Sequence, residues 1–231
     1  MELEIGGRRI RGTPRYLDEM RDLLFDEEYA RKAENEPLYY MCRDVSLSRR
    51  DREILMNFRV RYDITIIPPK SLGVEFVKTK GHYHPEVRRG MSYPELYEVL
   101  EGEAIFLLQK GEKGRIEDAV FVEASEGDKV MIPPNYGHVT INPSQRILKL
   151  ANIVSRDFSS IYEPYERMRG ACYYRIFDGW IQNNRYTEIS ELREGEKWKE
   201  MRKRREIYSL IRDEDEILRI FNNPEEWDWE I

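Results

Sequence analysis

From Leu38 to Val154 the chain consists of short runs rich in apolar, β-branched and aromatic residues, each ended by Gly, Pro, Asn or Asp turn signals. Short strands at such close spacing are typical of a β-sandwich or barrel. The pattern predicts a mainly β fold, and specifically a double-sheet jelly roll, with strands over 38–45, 58–67, 74–79, 103–109, 119–123, 129–132, 138–142 and 147–154.

The two ends of the chain have a different pattern. Thr13-Pro14 predicts the N-cap and first-turn proline of a short helix that carries Leu17, Met20, Leu23 and Leu24. The charged stretch 188–221 has apolar residues at helical spacing, with Gly195 as a point of division. We therefore expect residues 1–180 to form the β-barrel domain and residues 181–231 to form a charged helical extension packed on it.

Composition narrows the class of protein. The 231 residues suit one domain with a decoration, and 40% hydrophobic against 35% charged residues implies a packed core under a very charged surface. The net charge of −6 argues against nucleic acid as a partner, and we interpret the basic run 199–205, flanked by acidic residues, as a solvated helix face. The chain has no apolar signal core at its start and no run of 18 apolar residues, so we expect no membrane partner and a cytoplasmic location.

All three histidines of the chain lie in two short segments. His82 and His84 occupy alternate positions of a strand and so point to the same face, and His138 follows a Pro-rich turn 54 residues further along. Three neutral imidazoles and a carboxylate form an ordinary ligand set for a divalent transition metal. The pattern predicts a metal pocket inside the barrel. Glu95 is the candidate carboxylate, and Glu86 and Glu98 are the alternatives.

The two segments resemble the paired motifs of the cupin family. The first has His82-x-His84, then Glu95 and, after six residues, Gly102; the second has Gly127, Pro133, His138 and Asn142 at the family spacing. More narrowly, residues 79–84, 94–97 and 133–138 resemble the cupin-type glucose-6-phosphate isomerases of archaea. Two departures stand out: Asn135 replaces the usual glycine, and the stretch between His84 and Glu95 is longer than in other cupins.

The resemblance implies a cupin double-stranded β-helix and interconversion of glucose 6-phosphate and fructose 6-phosphate. It also implies one divalent metal, with Fe²⁺ first and Ni²⁺, Zn²⁺ or Mn²⁺ as alternatives, and a homodimer that pairs through exchanged strands. On this basis the metal ligands are His82, His84, Glu95 and His138; the catalytic residues are Glu95 and Tyr97; and the substrate-binding residues are Thr65, Lys80, Gly81 and Tyr162. Tyr39, Tyr40, Tyr165, Ser159 and Ser160 are other phosphate-donor candidates, and Asn142 is expected to support the strand after His138.

Other functions stay open at this point because one fold hosts many activities. An iron-dependent dioxygenase would use the same ligands with an apolar pocket, and a non-catalytic sugar-phosphate sensor would bind without turnover. For an isomerase, the hydrogen could move between C1 and C2 as a proton carried by Glu95 or as a hydride that passes directly.

Overall fold

The structure is a computed structural model, and it describes residues 1–5, 8–199, 205–213 and 215–229. Its strands are β1 (Glu2–Ile5), β2 (Arg8–Arg11), β3 (Thr13–Tyr16), β4 (Pro37–Cys42), β5 (Val60–Ile67), β6 (Ser71–Leu72), β7 (Glu75–Phe76), β8 (Glu86–Arg88), β9 (Met91–Ser92), β10 (Glu95–Glu101), β11 (Glu103–Glu112), β12 (Arg115–Ser125), β13 (Lys129–Ile132), β14 (Tyr136–Ile141), β15 (Leu148–Ser155), β16 (Tyr173–Ile176), β17 (Gly179–Gln182), β18 (Glu188–Ile189) and β19 (Leu192–Glu194). Its α-helices are α1 (Glu27–Lys32), α2 (Arg49–Asn57), α3 (Glu163–Arg167), α4 (Leu210–Asp213) and α5 (Asp215–Ile220), with 3₁₀ turns at Leu17–Glu19, Arg21–Leu23, Ile207–Ser209 and Pro224–Glu226.

Two main sheets form the body of the protein. One has the strand order β13-β10-β15-β5-β4-β3, with every neighbouring pair antiparallel. The other has the order β14-β11-β12-β18, and β19 also pairs with β12. The prediction of a mainly β, cupin-type jelly roll is therefore confirmed.

The main core lies between these sheets. Alternation turns Val99, Leu150, Phe106 and Val120 inward from four strands, and all four are fully buried. Each large side chain of this kind contributes about 1.5–3 kcal/mol through the removal of apolar surface from water. One end of the core is closed by the segment before α1, through Leu17, Met20, Leu23 and Leu24.

All eight predicted strands lie in or overlap observed strands, and 129–132 has the predicted bounds.

The prediction for the N-terminus is wrong in one respect. Thr13 and Pro14 do not start a helix but lie in β3, at the edge of the six-stranded sheet. An edge strand tolerates proline because the missing N–H can face away from the ladder. The expected helical residues that follow form two 3₁₀ turns instead, and the first α-helix begins only after Asp26, whose side chain accepts a hydrogen bond from the Tyr29 N–H.

The helical prediction for 188–221 is wrong in its first part. Residues 188–189 and 192–194 are strands that run parallel to β12, so they extend the second sheet. These residues form strands rather than a helix because the open edge of β12 offers unpaired backbone groups to which they can hydrogen-bond. Helical structure begins at Ile207, and most of the basic run 199–205 lies outside the described residues. Within the described part of the chain, no helix is long and apolar enough to cross a membrane.

The C-terminal turns pack on the outer face of the six-stranded sheet. Ile207, Leu210, Ile211, Leu218 and Phe221 form one buried cluster with sheet residues that include Tyr62, Ile64, Leu96 and Ile153. The extension is attached by a polar contact as well. The Asp51 carboxylate on α2 accepts hydrogen bonds from the Tyr208 hydroxyl at 3.0 Å and from Arg212 at 2.8 and 2.9 Å.

We expect Asp51→Asn to lower the free energy of unfolding by about 1–2 kcal/mol at pH 7, since Arg212 is half exposed and water screens part of the interaction. The hydrogen bonds from Arg212 lower the pKa of Asp51 from 3.8 to about 2. A carboxyl group whose pKa is lower in the folded state stabilises the fold at every pH above its unfolded-state pKa. This contribution is lost as the pH falls from about 4 to about 2. Urea unfolding of both proteins at pH 7 and pH 2.5 measures this.

The matched control is Asp213→Asn, on a neighbouring exposed carboxylate that pairs only with Arg205 among the contacts described. A stability difference between wild type and Asp51→Asn that stays constant from pH 7 to pH 2.5 would contradict the assignment.

Candidate metal centre and active site

A backbone bridge joins the two histidine segments. His82 and His138 form an isolated antiparallel pair, in which the His138 N–H donates to the His82 carbonyl at 3.0 Å and the reciprocal bond is 3.3 Å. The bridge adds the His82 segment to the second sheet beside β14, the strand at the edge of that sheet. It brings side chains that are 56 residues apart into ring contact, with imidazole centroids 4.5 Å apart.

Glu95 reaches the same point from the other sheet. It begins β10, between β13 and β15, and its side chain is buried. Asn152 Nδ2 on β15 donates to Glu95 Oε1 at 2.7 Å, which fixes the carboxylate. The second oxygen, Oε2, is buried without a hydrogen-bond partner and lies 3.3 Å from both His84 Nε2 and His138 Nε2. An orphaned buried carboxylate oxygen carries a cost of several kcal/mol unless a cation or donor meets it.

The imidazole nitrogens also face one another. His84 Nδ1 lies 2.7 Å from the Tyr93 carbonyl, which can only accept, so Nδ1 carries the proton and Nε2 presents a lone pair. That lone pair lies 3.3 Å from His82 Nε2. One ligand atom from each of His82, His84, Glu95 and His138 lies within 4.8 Å of all the others. Three neutral imidazoles and one carboxylate that converge in this way fit a divalent transition metal.

Burial sets the protonation of the cluster. It lowers the pKa of His82 and of His138 well below the ordinary value, and neighbouring histidines add to the effect. Both rings are therefore neutral at pH 7, as metal ligation requires. Burial, with the nearby Glu95 charge, raises the pKa of Tyr97 well above its ordinary value. Tyr97 thus keeps its hydroxyl proton, and its oxygen lies 3.1 Å from His138 Nε2.

A cavity opens beside this cluster, and three of the predicted substrate-binding residues line it. Thr65 on β5, Lys80 and Tyr162 face it together with His82, His84, Glu95 and Tyr97. The Lys80 ammonium lies 5.0 Å from the centre of the Tyr162 ring and pairs with Glu166 at 2.6 Å. The Lys80 N–H donates to the Tyr39 hydroxyl at 3.1 Å. The lining of the cavity therefore includes a cation, two phenols and a threonine hydroxyl.

Gly81, the fourth predicted substrate-binding residue, has a packing reason for its identity. A Cβ at this position would lie 2.4 Å from the Tyr165 ring and 2.7 Å from Val139. Tyr165 packs behind Gly81 in a separate apolar cluster, so of the two candidate tyrosines only Tyr162 lines the cavity. Similarly, Tyr39 lines it and Tyr40 falls on the other face of β4. Ser160 lines it too, and whether any of these groups binds phosphate stays a prediction.

The sequence reasoning missed several residues that line the cavity. They include Thr79, Arg43, Arg61, Asn152 and Phe158. Strand alternation could have found Arg61, because Thr65 was predicted to bind substrate and Arg61 is four residues before it on the same strand, hence on the same face. Asn142 behaves as expected: its side chain donates to the Ile67 and Arg146 carbonyls and does not line the cavity.

The two departures from the cupin motif explain each other. The longer stretch between His84 and Glu95 forms the β8–β9 hairpin. Asn135 adopts a φ of 70°, a conformation that glycine and asparagine accept most readily. Its side chain accepts from the Ser92 N–H at 2.9 Å, and its N–H donates to the Ser92 hydroxyl at 2.7 Å. Asparagine thus keeps the turn that glycine would supply and also holds the inserted hairpin beside the site.

Comparison with known proteins agrees with this geometry. The family profile of glucose-6-phosphate isomerase (GPI) matches residues 15–191, more than half of the chain. The chain belongs to the glucose-6-phosphate isomerase family. The resemblance read from the motifs is confirmed.

Curated glucose-6-phosphate isomerases of archaea align with the central part of this family member. The enzyme of Thermococcus litoralis is 33% identical over 134 residues, which cover 57% of this chain and 63% of the relative. That of Thermococcus gammatolerans is 33% identical over 138 residues, covering 59% and 64%. That of Pyrococcus furiosus is 29% identical over 130 residues, covering 55% and 61%. The chain therefore matches less than two thirds of the length of these relatives.

Solved structures give weaker likenesses. An oxalate oxidase is 15% identical with a TM-score of 0.41, and the match covers 55% of this chain and 56% of the other. An oxalate decarboxylase of Bacillus subtilis is 18% identical with a TM-score of 0.36, covering 54% and 26%. At these values the likeness says nothing about chemistry.

We expect Glu95→Gln to weaken Mn²⁺ or Zn²⁺ binding by about 100-fold or more, because the substitution removes the only charged donor of the cluster. The measurement is a competitive titration against a chelating indicator, with circular dichroism to verify the fold. The matched control is Glu101→Gln on the same strand, where the carboxylate is half exposed and pairs with Lys149. Equal affinity of Glu95→Gln and wild type would show that the cluster is not a metal site.

Proposed function

We propose that this protein is a metal-dependent isomerase that interconverts glucose 6-phosphate and fructose 6-phosphate. One observation carries the proposal: the orphaned Glu95 oxygen and three imidazole nitrogens converge beside a cavity that Lys80 also lines, in a chain of the glucose-6-phosphate isomerase family. A candidate metal site and a cation on one cavity suit the two parts of the substrate, which are a reacting pair of carbon–oxygen groups and a phosphate dianion.

The reaction moves one hydrogen between C1 and C2 and places negative charge on a neighbouring oxygen. A divalent metal held by His82, His84, Glu95 and His138 would supply Lewis-acid polarisation of those oxygens. Glu95 is held through Oε1 by Asn152, so Oε2 keeps a fixed position from which it can also take and return a proton. Tyr97 keeps its proton in this buried site and can donate its O–H to a sugar oxygen.

Two routes for the hydrogen remain compatible with this placement. In one route Glu95 takes the proton from C2 and returns it to C1; in the other a hydride passes directly between the carbons. Only the first exchanges the transferred hydrogen with solvent, so deuterium uptake at C2 of glucose 6-phosphate during turnover identifies it.

The phosphate end is proposed for Lys80, Thr65, Tyr162 and the Gly81 backbone. Lys80 is only partly neutralised, because its partner Glu166 is half exposed to water. A positioned cation and hydroxyl donors bind a phosphate dianion more strongly in a partly buried site than at an open surface, because water screens the interaction less there.

The alternative readings gain less support. A dioxygenase of this fold would prefer an apolar pocket, whereas this cavity is lined by Lys80, Arg61, Arg43 and threonines. A sugar-sensing protein would carry a DNA-binding module, and the C-terminal helices within the described residues are single turns or little more, packed on the sheet. We further propose Fe²⁺ as the physiological metal, the cytoplasm as the location, and glycolysis and gluconeogenesis as the pathways served.

We expect protein stripped of metal to be inactive in a coupled assay that detects glucose 6-phosphate formed from fructose 6-phosphate. Activity should return with at least one of Fe²⁺, Mn²⁺, Ni²⁺ or Zn²⁺, because each accepts this ligand set. His138→Ala should lose turnover by about 1,000-fold or more while it keeps a cooperative thermal transition. Confirmed metal binding without turnover for any of the four ions would refute the isomerase and favour the dioxygenase or the sensor.

We also propose a homodimer, on the family resemblance alone. Light scattering after size-exclusion chromatography should give twice the 27.8 kDa mass of one chain. A mass of one chain at micromolar protein concentration would contradict this.

A further inference from the structure

Arg61 places a guanidinium in the cavity beside the metal cluster. It lies on β5, and its inward side chain lines the same cavity as His82 and Glu95. Its Nε donates to Asp63 Oδ2 at 2.8 Å. No acceptor among the described residues meets its two Nη atoms, although only 19% of the side chain is exposed. Arg61 therefore has two N–H₂ groups that no described acceptor meets and that are available to a ligand.

Asp63 fixes the orientation of this guanidinium. It is buried, and its carboxylate also accepts from the Asp44 N–H at 2.8 Å and from Arg43 Nη1 at 3.0 Å. One carboxylate thus serves two arginines, which leaves an excess of positive charge on this wall. Arg43 differs from Arg61 because its other nitrogen faces the Met41 sulfur and its side chain is 48% exposed.

Strand register places Arg61 opposite the reacting end of the proposed substrate. Val154 on β15 pairs with Glu95 on one side and with Arg61 on the other, so the three residues form one row across the sheet. Residues two strands apart are separated by roughly 10 Å between Cα atoms, a span that an arginine side chain and one small ligand group can fill. Arg61 and Glu95 thus face the cavity from the same row of the sheet, with Val154 between them.

We propose that Arg61 is a further catalytic residue, which donates hydrogen bonds from Nη to the sugar oxygens at C1 and C2; this rests on the proposed isomerase function. When the C2–H bond breaks, its proton goes to Glu95, its electron pair forms the C1=C2 bond, and the carbonyl pair moves to the C1 oxygen as negative charge. Transfer of the C2 hydroxyl proton to the C1 oxygen, and return of the proton from Glu95 to the C1 carbon, complete the ketose. In the hydride route an oxygen at the same place also carries the charge. Arg61 stabilises this oxyanion and exchanges no proton with it, because a guanidinium stays protonated.

The test uses Arg61→Gln and Arg61→Lys, with Arg59→Gln as matched control because that arginine lies just before the same strand and pairs with Asp157 outside the cavity. We expect kcat to fall by about 100-fold in Arg61→Gln, with KM for fructose 6-phosphate within about threefold of wild type. Arg61→Lys should have an intermediate kcat, since lysine keeps the positive charge and loses the planar pair of N–H₂ donors. Arg59→Gln should stay within about threefold in both parameters, and metal content and thermal midpoint verify that the variants are intact.

A pair of inhibitors separates the reacting end from the phosphate end. Both are five-carbon sugar phosphates: one ends in a carboxylate, which mimics the oxyanion, and the other ends in an alcohol. Calorimetry on metal-loaded protein should show that Arg61→Gln weakens the carboxylate compound by at least about tenfold more than the alcohol compound. Equal weakening of both, or a raised KM with unchanged kcat, would place Arg61 at the phosphate and overturn the proposal.

The binding measurement also keeps the two proposals distinguishable. If wild type proves inactive as an isomerase, the proposed function fails, and selective loss of the carboxylate compound in Arg61→Gln would still show that Arg61 binds an anion beside the metal. If wild type is active and Arg61→Gln keeps its kcat, the inference on Arg61 fails alone.

Discussion

The backbone bridge between His82 and His138 is the constraint on which the rest of the site depends. It holds residues 56 positions apart in one antiparallel pair, and it aims their imidazoles at Glu95 on the opposite sheet. A donor set assembled from two facing sheets cannot relax independently of the core, because the sheets are separated by close-packed side chains such as Phe106 and Leu150. The jelly roll therefore preorganises these side chains. The buried Glu95 oxygen without a hydrogen-bond partner gives the cluster a negative charge that a cation would compensate.

Charge in the cavity is arranged so that its cations are held without being fully neutralised. Lys80 pairs with the half-exposed Glu166, and Arg61 shares Asp63 with Arg43. Burial lowers the pKa of His82 and of His138, so these two side chains add no positive charge at pH 7. The wall of the cavity thus carries positive charge from Lys80 and from the two arginines, which suits an anionic ligand.

The additions to the jelly roll act around the site without entering it. The β8–β9 hairpin lengthens the connection between His84 and Glu95, and Asn135 binds it to the turn before His138. The C-terminal segment first extends the second sheet through β18 and β19 and then covers the outer face of the first through Ile207 and Phe221. Glu98, which alternation turns away from the cavity, shows the consequence: it is buried under this segment, where it pairs with Lys129 and accepts from the Ile207 N–H.

The sequence by itself determined the jelly roll, the positions of eight strands and the four side chains His82, His84, Glu95 and His138 that the structure brings together, because strand alternation and motif spacing are local properties of the chain. It failed where pairing partners were distant. Residues 188–194 carry a helical apolar pattern yet complete the ladder of β12, and Pro14 lies on a sheet edge rather than in a helix, since unpaired backbone groups on a neighbouring strand outweigh weak local propensity. Only the tertiary structure could show that Tyr162 and not Tyr165 lines the cavity, that Asn152 holds Glu95, and that Arg61 faces it across β15. Those facts depend on strand register and packing between residues far apart in the chain, which no single stretch of sequence encodes.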